Sequence, residues 1–140
     1  MANTRDDFNH FHIMHTRWMD NDIYGHVNNV VYYSWFDTVI NSYLIEYGDV
    51  DIHTDPVVAY CVESQCTYKK GFAFPEDVHV GLRVAKLGNS SVRYELALFG
   101  KNDKEPRATG YFVHVFVDKA SNTSASIPAD VRTALARLYR

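Results

Sequence analysis

The 140-residue sequence predicts an α+β domain in which an antiparallel sheet wraps one long helix and a short helix closes the chain. Three observations predict it. The apolar spacing becomes helical at Asn28 and stays so for about five turns. From Val57 onward, strand-length apolar segments follow one another, most of them alternating apolar and polar residues as half-buried strands do. Turns rather than helices join the later segments, which makes those neighbours antiparallel.

The elements follow in order. Residues 10–18, "HFHIMHTRW", predict a first strand of mixed pattern. Residues 19–27 gather acid, amide and a glycine and predict a loop. Tyr32, Phe36, Val39, Ile40, Tyr43 and Tyr47 then fall at i, i+4, i+7, i+8, i+11 and i+15, the spacing of a helix face. Asn28 is the expected N-cap and Gly48 the expected C′ residue. Apolar residues on more than one face imply that other structure encloses this helix. Residues 57–68 predict the second strand. In 77–87, Val78, Val80, Leu82 and Val84 share one face, with Asp77, His79 and Arg83 on the other. Residues 90–99 repeat the pattern with Val92, Tyr94, Leu96 and Leu98 inward, and Gly88-Asn89 predicts the hairpin turn between them. A turn over 102–106 leads to 107–118, apolar on both faces as in a central or interface strand. The last helix is expected near Pro128, with Val131, Leu135 and Leu138 on one face. The expectation is five strands in one domain over residues 1–140.

Composition narrows the function. Hydrophobic residues at 46% and charged residues at 22% describe a globular chain. A net charge of -3 advertises neither nucleic acid nor an anionic membrane as a partner. No apolar run reaches the length of a membrane span, and no apolar stretch follows the N-terminus as in a secretory signal. Cys61 and Cys66 lie five apart in one strand, which predicts opposite faces and no local pairing. The expected compartment is the cytoplasm, with both thiols reduced. His10, His12 and His15 lack a supporting carboxylate at a useful spacing and read as surface or interface residues rather than metal ligands. No metal or cofactor is expected. His114, between Phe112 and Phe116 on one strand face, reads as a packed, hydrogen-bonded histidine. Asp37, among helix aromatics, reads as a buried polar anchor.

The chemistry concentrates in "WMDNDIYGHVNN", residues 18–29. This loop ends at the N-terminus of the long helix. Unpaired backbone N–H groups and the positive end of the helix dipole meet there. Such a terminus polarises a docked carbonyl and stabilises an oxyanion. A carboxylate a few residues upstream supplies a base or nucleophile, the second requirement of acyl transfer. An Asp before a helix also serves as a plain loop acceptor, and the pattern alone leaves both readings open.

The run Arg17 to Asn29, "RWMDNDIYGHVNN", resembles the signature of the 4-hydroxybenzoyl-CoA thioesterase-like branch of hotdog-fold acyl-CoA thioesterases. The resemblance extends along nearly the whole chain in element order. It implies a five-stranded sheet around a long central helix and hydrolysis of an acyl thioester to free acid and thiol. It places the catalytic carboxylate at Asp22, the motif glycine at Gly25 and the backbone N–H that holds the thioester carbonyl at Asn29. Asp20 and Arg17 become supports of the loop. His26, Val27 and Asn28 become substrate contacts, with Ser64 across a subunit boundary orienting water or carboxylate. Some relatives carry basic residues between the third and fourth strands for the coenzyme A phosphates. Here that turn is "KLGNSSV", so Ser90 and Ser91 are the expected contacts, with Lys69 and Lys70 from a neighbouring subunit as further candidates. The carrier is then coenzyme A or acyl carrier protein, and the acyl group aryl or short to medium aliphatic. A homodimer or homotetramer is expected, because a five-stranded sheet leaves an edge. The competing readings are a hydratase or dehydratase of the same fold and a non-catalytic acyl-thioester-binding module.

Overall fold

The structure, a computed structural model, describes residues 3–139. Its elements are β1 (His10–His15), α1 (Asn29–Tyr47), β2 (Val57–Tyr68), β3 (Asp77–Leu87), β4 (Ser91–Phe99), β5 (Ala108–Asp118), β6 (Thr123–Ser124) and α2 (Ala129–Ala136). All strand pairs are antiparallel, in the order β1-β3-β4-β5-β2, and two-residue β6 pairs with the end of β5. The sheet encloses α1, which is the hotdog arrangement. Tyr32, Trp35, Phe36, Val39, Ile40, Tyr43 and Leu44 of α1 are buried. They pack on Val78, Val80, Leu82 and Val84 of β3 and Val92, Tyr94, Leu96 and Leu98 of β4. These are the inward residues that alternation predicts. Fully burying a side chain such as Phe36 contributes roughly 1.5–3 kcal/mol.

Several details depart from the sequence expectation. β1 stops at His15, and a 3-10 turn over Trp18–Asp20 takes the remainder. Asp20 receives the Arg17 backbone N–H at 2.8 Å, which turns the chain out of the strand. Tyr47 is exposed, and Trp35 and Leu44 take up its expected burial. The left-handed residue after α1 is Asp49, at φ 56°, and not Gly48. Gly48 is required by closeness instead, since a Cβ there would lie 2.7 Å from the Leu44 carbonyl oxygen. β5 is central, and β1 and β2 are the edges. The outer side of the sheet also holds a small cluster of Phe8, Ala97 and Phe99.

The cysteine expectation is overturned. β2 shifts register between Cys61 and Glu63, so Cys61 pairs with His114 and Cys66 with Gly110. Both partners are even-numbered residues of β5, so both cysteines face α1 rather than opposite sides. They remain free, because four residues of β5 separate their partners, about 13 Å at 3.3 Å per residue.

Candidate active site

The loop before α1 is built from its own backbone. Asn21 bridges to Val27, the Asp22 N–H donates to the His26 carbonyl at 2.9 Å, and the Gly25 N–H donates to the Asp22 carbonyl at 3.1 Å. Gly25 has φ 84°, a conformation that any side chain would strain. The Asp22 carboxylate accepts the Tyr24 N–H at 2.9 Å, so one of its oxygens is oriented by the same turn.

Asp20 anchors the loop from beneath. It is only 2% exposed. Arg17 donates to it through Nε at 3.0 Å and Nη2 at 2.7 Å. Burial opposes the Asp20 charge, but the Arg17 bonds outweigh it and hold the carboxyl below the usual range. The Asp20 carbonyl in turn accepts the Asn28 N–H at 2.9 Å. Val27 is buried in the core and donates to the Phe72 carbonyl at 2.8 Å, tying the loop to the segment after β2. His26 lies against Gly71 of that segment.

Asn28 caps α1 as expected: its side chain accepts the Val30 N–H at 3.1 Å and its carbonyl the Val31 N–H at 3.0 Å. Asn29 is thereby left as the first helical residue, and its N–H has no acceptor among the described residues. Tyr68 fixes the same residue from the other side, donating to the Asn29 carbonyl at 3.1 Å. Burial, then its neighbour Cys66, push the Tyr68 phenol up to about 12, so it stays a donor. Nothing in the sequence pattern singled out Tyr68, because its partner lies 39 residues away.

The remaining candidates separate. Ser64 pairs with Phe112 and faces the α1 side of the sheet. Its neighbour Glu63 turns outward to accept from the Tyr111 hydroxyl at 2.6 Å. Ser90 and Ser91 lie in the β3–β4 turn, at the opposite end of the sheet. β3 begins beside His15 and runs away from the loop for about 33 Å. Arg132 pins that turn through the Gly88 carbonyl at 2.6 Å. A single chain therefore does not bring Ser90 or Ser91 to Asp22. Lys69 and Lys70, by contrast, follow Tyr68 directly and donate their N–H groups to the Arg107 carbonyl, beside the loop of their own chain rather than only a neighbour's. Asp37 is exposed, not buried, and accepts from Asn41.

Asp22 lines an open depression of about 530 Å³ with Trp18, Met19, Asn21, Ile23 and Gly25. Trp18, Met19, Ile23 and Tyr24 are all strongly exposed, Ile23 at 92%. Large apolar residues in such density mark a surface that another body covers.

A hotdog sheet whose central helix begins at a carboxylate-bearing loop places the chain among thioesterase-like proteins. Residues 16–135 match the thioesterase-like superfamily, and the chain belongs to that family. The PA5185 protein of Pseudomonas aeruginosa strain PAO1 superposes with a TM-score of 0.96 at 52% identity, over 99% of this chain and 97% of that one. YsmA of Bacillus subtilis (strain 168) is 30% identical over 125 residues, 87% of this chain and 82% of its own length. BH1999, a gentisyl-coenzyme A thioesterase, shares the fold at a TM-score of 0.78 and 22% identity, over 90% of this chain and 99% of that one.

Proposed function

We propose that this protein is an acyl-CoA thioesterase in which Asp22 and the Asn29 N–H act on one carbonyl. The observation that carries the reading is the loop itself: it holds a half-exposed carboxylate and an unused helix-terminal N–H seven residues apart. The thioester carbonyl oxygen accepts the Asn29 N–H, where the α1 dipole also favours negative charge. Asp22, ionised at neutral pH as ordinary carboxylates are, takes a proton from water as the water oxygen attacks the carbonyl carbon. The C–S bond then breaks, the thiolate leaves, and the proton passes to it. Direct attack by the carboxylate, with hydrolysis of the resulting anhydride, gives the same acid and thiol. The exposed apolar side chains around Asp22 and the open β2 edge support a dimer in which a second copy closes the site. Ser90 and Ser91 meet the substrate only if the partner subunit supplies them. Family membership and the shared fold of the gentisyl-coenzyme A thioesterase support the reading.

The test is thiol release from a panel of acyl-CoAs and acyl carrier protein thioesters. Asp22→Asn keeps the side chain's shape and removes its charge, with an expected loss in kcat of roughly 10²-fold or more. Activity within about threefold of wild type excludes Asp22 from the reaction, on the scale a general base supplies.

A further inference from the structure

A groove runs from the Asn29 terminus along the seam between α1 and β2, and its floor holds an unusual residue. Four residues of helix advance about 6 Å, and two residues of strand about 6.6 Å. The two elements therefore march in step. Asn29 meets Tyr68. Tyr33 lies over Phe112 at 6.0 Å, with Ser64 paired to Phe112. One step on, the charge of Asp37 reaches both Cys61 and His114, which pair with each other. A further step on, Asn41, Ala59 and Phe116 line a cavity of about 130 Å³. The walls are open to solvent at Ser64, Cys61 and Asp37.

Phe112 and Phe116 make an apolar floor, and His114 interrupts it. His114 is 3% exposed and its Nδ1 has no partner. Beside it, at a ring separation of 5.0 Å, Tyr94 is fully buried and its hydroxyl is also unpartnered. Two adjacent buried polar groups without partners are costly, by about 1–3 kcal/mol each, and buried groups of this kind normally find one. Burial pushes the imidazole down to about 4, so at neutral pH it offers one donor and one acceptor.

We propose that this groove takes the acyl chain of the substrate and that His114, with Tyr94, recognises a hydroxyl or keto oxygen near the chain's far end. This rests on the thioesterase reading, which supplies the carbonyl at Asn29. Asp37, level with His114, is eight residues from Asn29, about 12 Å along the helix. An extended chain covers that in roughly nine or ten bonds of about 1.5 Å each. The substrate class is a medium-chain acyl thioester oxygenated at or near its ω end.

The test compares decanoyl-CoA with ω-hydroxydecanoyl-CoA. Wild type is expected to prefer the hydroxylated substrate by about tenfold or more in kcat/KM, the scale of one buried hydrogen bond gained. His114→Phe is expected to bring that ratio to about twofold or less. If His114→Phe does not fold, Tyr94→Phe, which removes a single oxygen, carries the comparison and should lower the ratio by about threefold or more. Hydrolysis of both substrates with no wild-type preference overturns the subsite and leaves the thioesterase reading standing. An equal fall for both substrates in a folded His114→Phe assigns His114 a structural role and also overturns it. Failure of wild type to hydrolyse any acyl thioester overturns both.

Discussion

His114 and Asp22 are held in opposite electrostatic conditions, and each condition has a measurable consequence. Asp22 stands half-exposed at a loop rim. His114 is enclosed between the sheet and α1, and burial lowers its value from 6.5 to about 4 against a weak opposing effect of Asp37. Its folded value lies below the unfolded one, so the unfolded chain binds the extra proton. The stability contribution is complete above about 6.5 and is lost as pH falls through the window toward 4. By pH 4.5 the loss amounts to about 2 kcal/mol. Urea unfolding of wild type and His114→Phe at pH 7 and pH 4.5 isolates it, because the carboxylates titrate alike in both. Wild type should lose about 2 kcal/mol more than the variant; equal losses would show that His114 is not buried neutral.

At the scale of the element, the loop and the helix terminus divide their work between backbone and side chain. The Asn28 side chain caps α1, so Asn28→Ala should cost about 1 kcal/mol of stability in thermal or urea melts. The donor at Asn29 is a backbone N–H, so Asn29→Ala should change kcat/KM by less than about tenfold. A variant as inactive as Asp22→Asn would make the Asn29 side chain the donor. Gly25 works through its dihedral angle and not through space, since a Cβ there would meet nothing within 4 Å. A left-handed backbone costs other residues about 1–2 kcal/mol, and the loop can escape it only by moving Asp22. Gly25→Val should therefore stay folded by circular dichroism and lose most activity. Full activity would separate the turn geometry from catalysis.

For the whole molecule, the open question is what covers the surface. β2 is an edge strand, exposed through most of its length, with Tyr60, Val62 and Tyr68 among its exposed residues. An exposed apolar edge invites a second strand, and the bulge near Val62 marks where the strand turns its faces over. Light scattering should give a mass of two or four times the 16.1 kDa chain. Val62→Asp places a charge on that edge and should shift the mass toward the monomer and lower kcat/KM with it. A wild-type mass of one chain at micromolar concentration would contradict a shared site.

The sequence by itself determined whatever repeats at short range. Alternation in β3 and β4 named the inward residues, the period after Asn28 named the central helix, and Asn28 announced its own cap. It also carried the Arg17-to-Asn29 run that points to the thioesterase-like family. The tertiary structure decided everything that depends on register or on partners far apart in the chain. One extra residue in β2 turned Cys61 and Cys66 to the same face, because a strand's period of two inverts with a single insertion. The Tyr68 bond to Asn29 spans 39 residues and leaves no local pattern. Ser90 and Ser91 looked adjacent to the chemistry by analogy of a turn, yet strand length carries them to the far end of the sheet. His114 was legible as a packed histidine but not as an unpartnered one, because a missing hydrogen bond is a property of every neighbour at once. Local periodicity is written in consecutive residues; pairing, burial and satisfaction are settled only when distant segments meet.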